Sequence, residues 1–285
     1  MKNLNPYTKN TFQFHKDVVK STKSKKDDIA YKTRLLDLEV NIEILYSNFL
    51  DNHNVNNLIS TLAHNYLGSE KDDLLSLYSY KRAIIQKLKN EVTTTETGRL
   101  ISTCQNCTVN KINSFDHILP KEEFSEFAVN PLNLFPSCSE CNSYKGVYWQ
   151  MGGVPYFLNL YLDILPNLQY LFVDVDLTAQ VPKIKFYLDD INGIDPRLFS
   201  ITKTHYSRLH LFDRFSDSID DVITPLVNEV KAGIDEFLDY PTIQRIVIRT
   251  QTQNQLKFGF NYWKAILALA LINHPDFFDF VQNNG

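Results

Sequence analysis

At 285 residues the chain is longer than one hydrophobic core usually spans, so it is expected to fold as two or three modules. Apolar residues make up 44% and charged residues 22%, with 19 Phe and 15 Tyr against 9 Gly, which excludes a disordered or low-complexity chain. Lys and Arg number 29 against 33 Asp and Glu, a net charge of −4, so any grip on a polyanion has to be local or supplied by a partner.

In chain order, residues 1–98 are expected to form a helical region. The first thirty are polar, and Lys16, Lys20, Lys23, Lys25 and Lys26 make a lysine-rich run closed by Asp27 and Asp28. Such a run reads as a solvated leader or a charged first turn. Its functional alternative is an arm that touches phosphates. From residue 29, Leu35, Leu36, Leu38, Val40, Ile42, Ile44, Leu45 and Leu50 recur at three- and four-residue intervals, which predicts a helix. A second helix is expected over 55–66 and a third over 72–91, where Asp72 and Asp73 suit a first turn. The Thr-rich stretch 93–98, ending in Gly98, links to the next module. His15, His53 and His64 lack metal-ligand spacing and read as ordinary core or surface histidines.

Residues 99–150 hold all four cysteines, as two C-x-x-C pairs: Cys104 with Cys107, and Cys138 with Cys141. One tight turn can aim two thiolates at one ion, and two such turns complete the tetrahedral set that Zn²⁺ prefers. Four thiolates close the coordination sphere, so that zinc is expected to be structural and to stabilise a loop-rich insert with little apolar surface of its own. Disulfide or redox chemistry is the weaker alternative. The thirty residues between the pairs exceed ordinary zinc-ribbon spacing and carry Asp116-His117, Ile118-Leu119-Pro120 and Asn133; Asn142 follows the last cysteine. His117 is a candidate general base, since a neutral imidazole takes a proton near neutral pH. If the run is extended, Asp116 points to the opposite side of the strand, so a local bend is needed to bring the two together. Lys145, one turn after Asn142, leaves two readings open: a contact to the scissile or an adjacent phosphate, and a solvent-exposed lysine on a short helix.

The D-H-I-x-P of residues 116–120, the N-L of Asn133 and Leu134, and the C-x-x-C-N-x-x-K-G of residues 138–146 together resemble an HNH endonuclease, a ββα-metal nuclease on a treble-clef zinc scaffold. The resemblance covers 43 of the 285 residues, 104–146, and takes the H-N-N form, with Asn142 in the final histidine's place. It implies that Asp116 and Asn142 hold a catalytic divalent cation, and that Asn133 pins the loop and orients His117. A carboxylate and an amide oxygen suit Mg²⁺ or Mn²⁺.

Beyond this module, residues 151–155 read as a Gly/Pro loop, and the runs 170–177 and 183–188 as a hairpin or small sheet. Asp174, Asp176, Asp189 and Asp190 are expected to face solvent from strands and turns. A long helical region is expected over 198–230 and a final helical part around 261–272. The fold class is therefore α+β: a mostly helical chain around a central ββα zinc module, divided as 1–98, 99–150 and an α-rich 151–285 with a short hairpin.

The N-terminus lacks a secretory layout, the longest apolar run (265–272) is too short to span a bilayer, and the thiols suit zinc; a cytoplasmic protein without a membrane partner is expected. The expected function is a metal-dependent endonuclease, on DNA before RNA. The alternative is a non-catalytic treble-clef module that binds nucleic acid or protein. The resemblance and the charge together suggest a restriction or anti-phage setting with an ATPase or sensor partner.

Overall fold

The computed structural model describes residues 1–23, 27–179 and 181–283; Lys25 and Lys26 of the lysine run lie outside the described residues. The chain forms two compact units, one of Asn3–Asn106 and Asn110–Ile164, the other of Leu165–Gly285 with Met1–Lys2 and Cys107–Val109. It is an α+β chain, mostly helical, with small two-stranded antiparallel sheets.

In the N-terminal unit the expected polar leader is a helix. α1 (Thr11–Ser21) starts at Asn10, whose side chain accepts a hydrogen bond from the Gln13 N–H at 2.7 Å, and it buries Phe14, His15, Val18 and Val19. Those positions recur at three and four residues, an apolar stripe hidden among the lysines. The periodicity over 29–50 becomes α2 (Tyr31–Asp37) and α3 (Glu39–Asn54). The expected helix over 55–66 does not form. Only a single 3₁₀ turn, Leu58–Ser60, lies there, with Asn56 and Asn65 at positive φ. Asparagines compete with helix hydrogen bonds through their side chains, as Asn57 does by donating to the Ser60 hydroxyl at 2.9 Å. The helix expected over 72–91 is interrupted: α4 spans Gly68–Ser76 and α5 Ala83–Thr93. The break is closed by Arg82, which donates to the Leu77 carbonyl at 2.6 Å.

β1 (Ser114–His117) and β2 (Leu134–Ser137) then pair antiparallel, with Ser114 opposite Ser137 and His117 opposite Leu134. α6 (Ser139–Lys145) follows at once and packs on β1, giving a β–β–α unit. Gly146 ends α6 at φ 54°, ψ −131°, a conformation open to glycine and strained for other residues. The segment expected as a loop at 151–155 is a small hairpin, β3 (Gln150–Met151) with β4 (Val154–Pro155). Gly152 and Gly153, both at positive φ, form the two-residue turn that such a hairpin requires.

In the C-terminal unit, β5 (Leu171–Asp176) and β6 (Lys183–Leu188) form the expected antiparallel hairpin. Asp176 accepts from the Thr178 hydroxyl at 2.6 Å and lies 3.7 Å from Lys183. The helical region expected as one stretch over 198–230 is three helices: α7 (Pro196–Arg208), α8 (Leu211–Ser216) and α9 (Asp220–Asp235). His210, left-handed at φ 50°, sets the first break. α10 (Tyr240–Phe258), α11 (Trp263–Ile272) and α12 (Phe277–Asn283) complete the chain. The apolar run of α11 is the core of this unit: Trp263 is fully buried and stacks on Phe215 at 5.1 Å. Among the described residues no helix is long and apolar enough to cross a membrane.

Candidate active site

The four cysteines converge. Their Sγ atoms all lie within 4.8 Å of one another, and every one is buried. The edge of a tetrahedron with 2.3 Å Zn–S bonds is about 3.8 Å, so the set closes on one ion with little movement. The first knuckle is held by the Cys104 N–H donating to the Asn110 carbonyl at 2.8 Å and by a bridge between Thr103 and Lys111. Backbone N–H groups of Val109 and Cys141 point at the sulfurs of Cys107 and Cys138, at 3.5 and 3.4 Å. Such bonds favour thiolate over thiol. The cysteines form no disulfide. A buried four-sulfur group of this shape fits a structural metal, with zinc the ion its ligand chemistry suits.

Cys138 also opens α6, capping it with its sulfur, so the second knuckle sets where the helix begins against β1. Asp116 and His117 lie on β1, each 7% exposed. The strand register runs through both without a bulge, and their side chains find different partners. Asp116 is reached from α6: the Lys145 Nζ donates to its Oδ1 at 2.9 Å and also to the His117 carbonyl. Lys145 is only 4% exposed, so of its two readings the solvent-facing one does not hold. Burial pushes the Asp116 carboxyl up, and the Lys145 charge offsets only part of that.

The His117 ring lies on the other side, under the loop between the strands. Its Nε2 is 2.9 Å from the Ala128 carbonyl. A carbonyl can only accept, so Nε2 carries the proton and Nδ1 holds the lone pair. Burial depresses its pKa to about 3, so the ring is neutral at neutral pH. Asn133, wholly buried, pins the loop: its Oδ1 accepts from the Leu119 N–H at 2.7 Å, and its Nδ2 donates to the Leu119 and Phe127 carbonyls. Leu119, held at both its N–H and its carbonyl, follows the histidine by two residues, so the Asn133 amide fixes the exit of β1. Asn142 is half-exposed on α6.

Two neighbours carried no signal in the motif. Tyr78, in the break between α4 and α5, accepts from the Phe115 N–H at 3.3 Å and sets its ring edge-on to His117 at 4.7 Å. Tyr161 donates to the Leu134 carbonyl at 2.9 Å and packs on Phe135. Both brace the strand pair, and neither has a spacing that marks it.

No family model matches the chain, and no solved structure matches it. Protein ea31 of Escherichia phage lambda is similar, 26% identical over 194 residues, a match that covers 63% of this chain and 65% of the phage protein. The chain thus spans less than two thirds of that protein's length.

Proposed function

We propose that the chain is a metal-dependent HNH endonuclease that hydrolyses phosphodiester bonds, in DNA before RNA. The observation that carries this is the state of His117: a buried neutral ring whose Nε2 is committed to the Ala128 carbonyl, leaving Nδ1 to accept a proton. A base needs that tautomer fixed before water arrives. Burial alone, with a pKa near 3, leaves the ring a weak base. A phosphate anion bound beside it favours the imidazolium and strengthens it.

The residues for a cation are Asp116 and Asn142. Both offer hard oxygen donors of the kind Mg²⁺ and Mn²⁺ take, and Asp116 keeps Oδ2 outside its bond to Lys145. A divalent cation held there supplies charge stabilisation to the phosphate and to the leaving 3′ oxygen. Lys145 holds the carboxylate in place, Asn133 holds the loop, and Tyr78 and Ala128 hold the imidazole. The structural zinc would take no part in the chemistry, because its coordination sphere is filled by sulfur.

One observation favours a second reading, a treble-clef binding module without catalysis. The Lys145 ammonium already compensates Asp116, as an ion would. The two readings separate in one assay. The zinc-loaded protein is incubated with duplex DNA, single-stranded DNA and structured RNA, with and without Mg²⁺ or Mn²⁺, and the product ends are sequenced. The endonuclease requires cation-dependent internal cuts in at least one substrate; uncut substrates under every condition favour the binding module. A cytoplasmic restriction or anti-phage setting, with an ATPase or sensor partner supplying contacts an acidic chain lacks, belongs to the same proposal.

A further inference from the structure

Of the cations that the sequence offers for gripping a nucleic acid, the structure removes two. Lys145 is buried on Asp116, and Arg214 is buried and donates to the Leu209 carbonyl. A different surface stands out. α10 is a helix of 19 residues without one Asp or Glu, in a chain where acids outnumber bases. Its buried side, Ile243, Val247 and Gln255, belongs to the core of the C-terminal unit, where α10 packs on α9 and α11. On the other side Arg245, Arg249, Gln253 and Lys257 are all exposed.

Those four residues are each spaced by four, so they form one stripe. At 1.5 Å per residue it is about 18 Å long. Duplex DNA carries one charge per about 1.7 Å of axis, both strands counted, so that length of duplex holds about ten phosphates, of which the stripe faces those on its side. Like charges four apart weaken an isolated helix, which makes Arg245 and Arg249 a cost unless an anion lies across them. Asp239, the N-cap, offsets part of Arg245 alone. Beside the stripe on the same helix lie Thr250, exposed, and Asn254, half-buried. Hydroxyl and amide groups between cations are what phosphates and base edges bond to. α7 also lacks acids, but only Arg197 and Arg208 share a face, about three turns apart, and Lys203 falls on another.

We propose that the exposed face of α10 is a docking surface for duplex DNA, with Arg245, Arg249 and Lys257 on backbone phosphates. This rests on the endonuclease reading and names where its substrate is gripped. The test measures binding of a duplex oligonucleotide by fluorescence anisotropy from 50 to 200 mM salt, in a His117→Ala background that cannot cut. Three lost phosphate contacts lower the salt slope by about 2.7, so over that range the parent's affinity should fall about 40-fold more than that of Arg245→Gln/Arg249→Gln/Lys257→Gln. Arg245→Lys/Arg249→Lys keeps the charge and should keep the slope. All three positions are exposed, and thermal melting should match the parent; a glutamine variant that melts early is replaced by Arg249→Gln alone, with a slope change of about 0.9.

An unchanged slope overturns the proposal. So does a parent that binds no duplex at 50 mM salt, the outcome expected if the stripe with Ile246 and Leu256 serves a protein partner, or structured RNA that displaces the duplex at equal concentration. If α10-dependent binding is found but the wild-type chain cuts nothing, the docking surface stands and the endonuclease reading falls. If cutting is found and the glutamine variant binds and cuts as wild type, the reverse holds.

Discussion

At His117 a single carbonyl fixes the tautomer. Because Ala128 takes Nε2, Nδ1 holds the lone pair, and burial keeps that nitrogen unprotonated across the neutral range. Asp116, its neighbour, faces the opposite problem: a carboxylate in a dry place, balanced by one ammonium. Removing one partner of a buried pair leaves an uncompensated charge, worth about 3–5 kcal/mol. Lys145→Met should therefore destabilise the protein on that order, and Mg²⁺ or Mn²⁺ should recover part of the loss by taking the ammonium's place. Thermal melting with and without the cation checks this; a variant that melts as wild type, or that ignores the cation, contradicts the cation role of Asp116. Asp116, His117 and Asn133 were legible in the sequence because strand alternation and the motif spacing define their surroundings. The inward turn of Lys145 was not, since a lysine on a short helix reads as solvent-facing and only its Asp116 partner, 29 residues away, pulls it in.

Among the elements, the zinc knuckles and the strand pair fix each other. Cys138 is at once a candidate ligand, the cap of α6 and the residue after β2, so metal, helix and sheet share one position. Cys138→Ser should lower the bound zinc from its stoichiometric level and lose the cooperative melting of the module, because metal-binding energy is folding energy in loop-rich inserts. Full zinc content with an unchanged melting curve would remove the structural role. The cysteine pairs announced this element, and the hairpin β5–β6 was announced by its β-branched and aromatic runs. Helix boundaries were harder to read. Periodicity over 72–91 continues through 77–82, where Tyr78 leaves the helical path to brace β1, a long-range demand with no local sign. The lysine run hid the apolar stripe of α1 for the same reason: its burial depends on partners elsewhere in the unit.

On the scale of the molecule, buried histidines make stability depend on pH: His117, already described, and two more. His15 lies in the core of the N-terminal unit beside Tyr46, and burial lowers its pKa to about 4; His53 is lowered for the same cause. Both are neutral in the fold. As pH falls below the ordinary value near 6.5, the unfolded chain binds protons that the native chain does not, so stability falls with pH, by about 1.4 kcal/mol per unit for each histidine, until the folded pKa is reached. Melting temperature should drop between pH 6.5 and 4.5, and His15→Gln should flatten part of the drop; a pH-independent melting point in that window contradicts the buried neutral state.

With a net charge of −4, capture of a polyanion would fall to local surfaces. The activity proposed for the β–β–α unit is phosphodiester cleavage with His117 as base. It is tested most directly by single-turnover cleavage of a duplex substrate at neutral pH with zinc-loaded protein and saturating Mg²⁺ or Mn²⁺, comparing wild type with His117→Ala. A positioned base is worth about 10²–10⁴-fold, so the account predicts a loss of that size with zinc content and duplex binding retained. Cleavage by His117→Ala at the wild-type rate would contradict it.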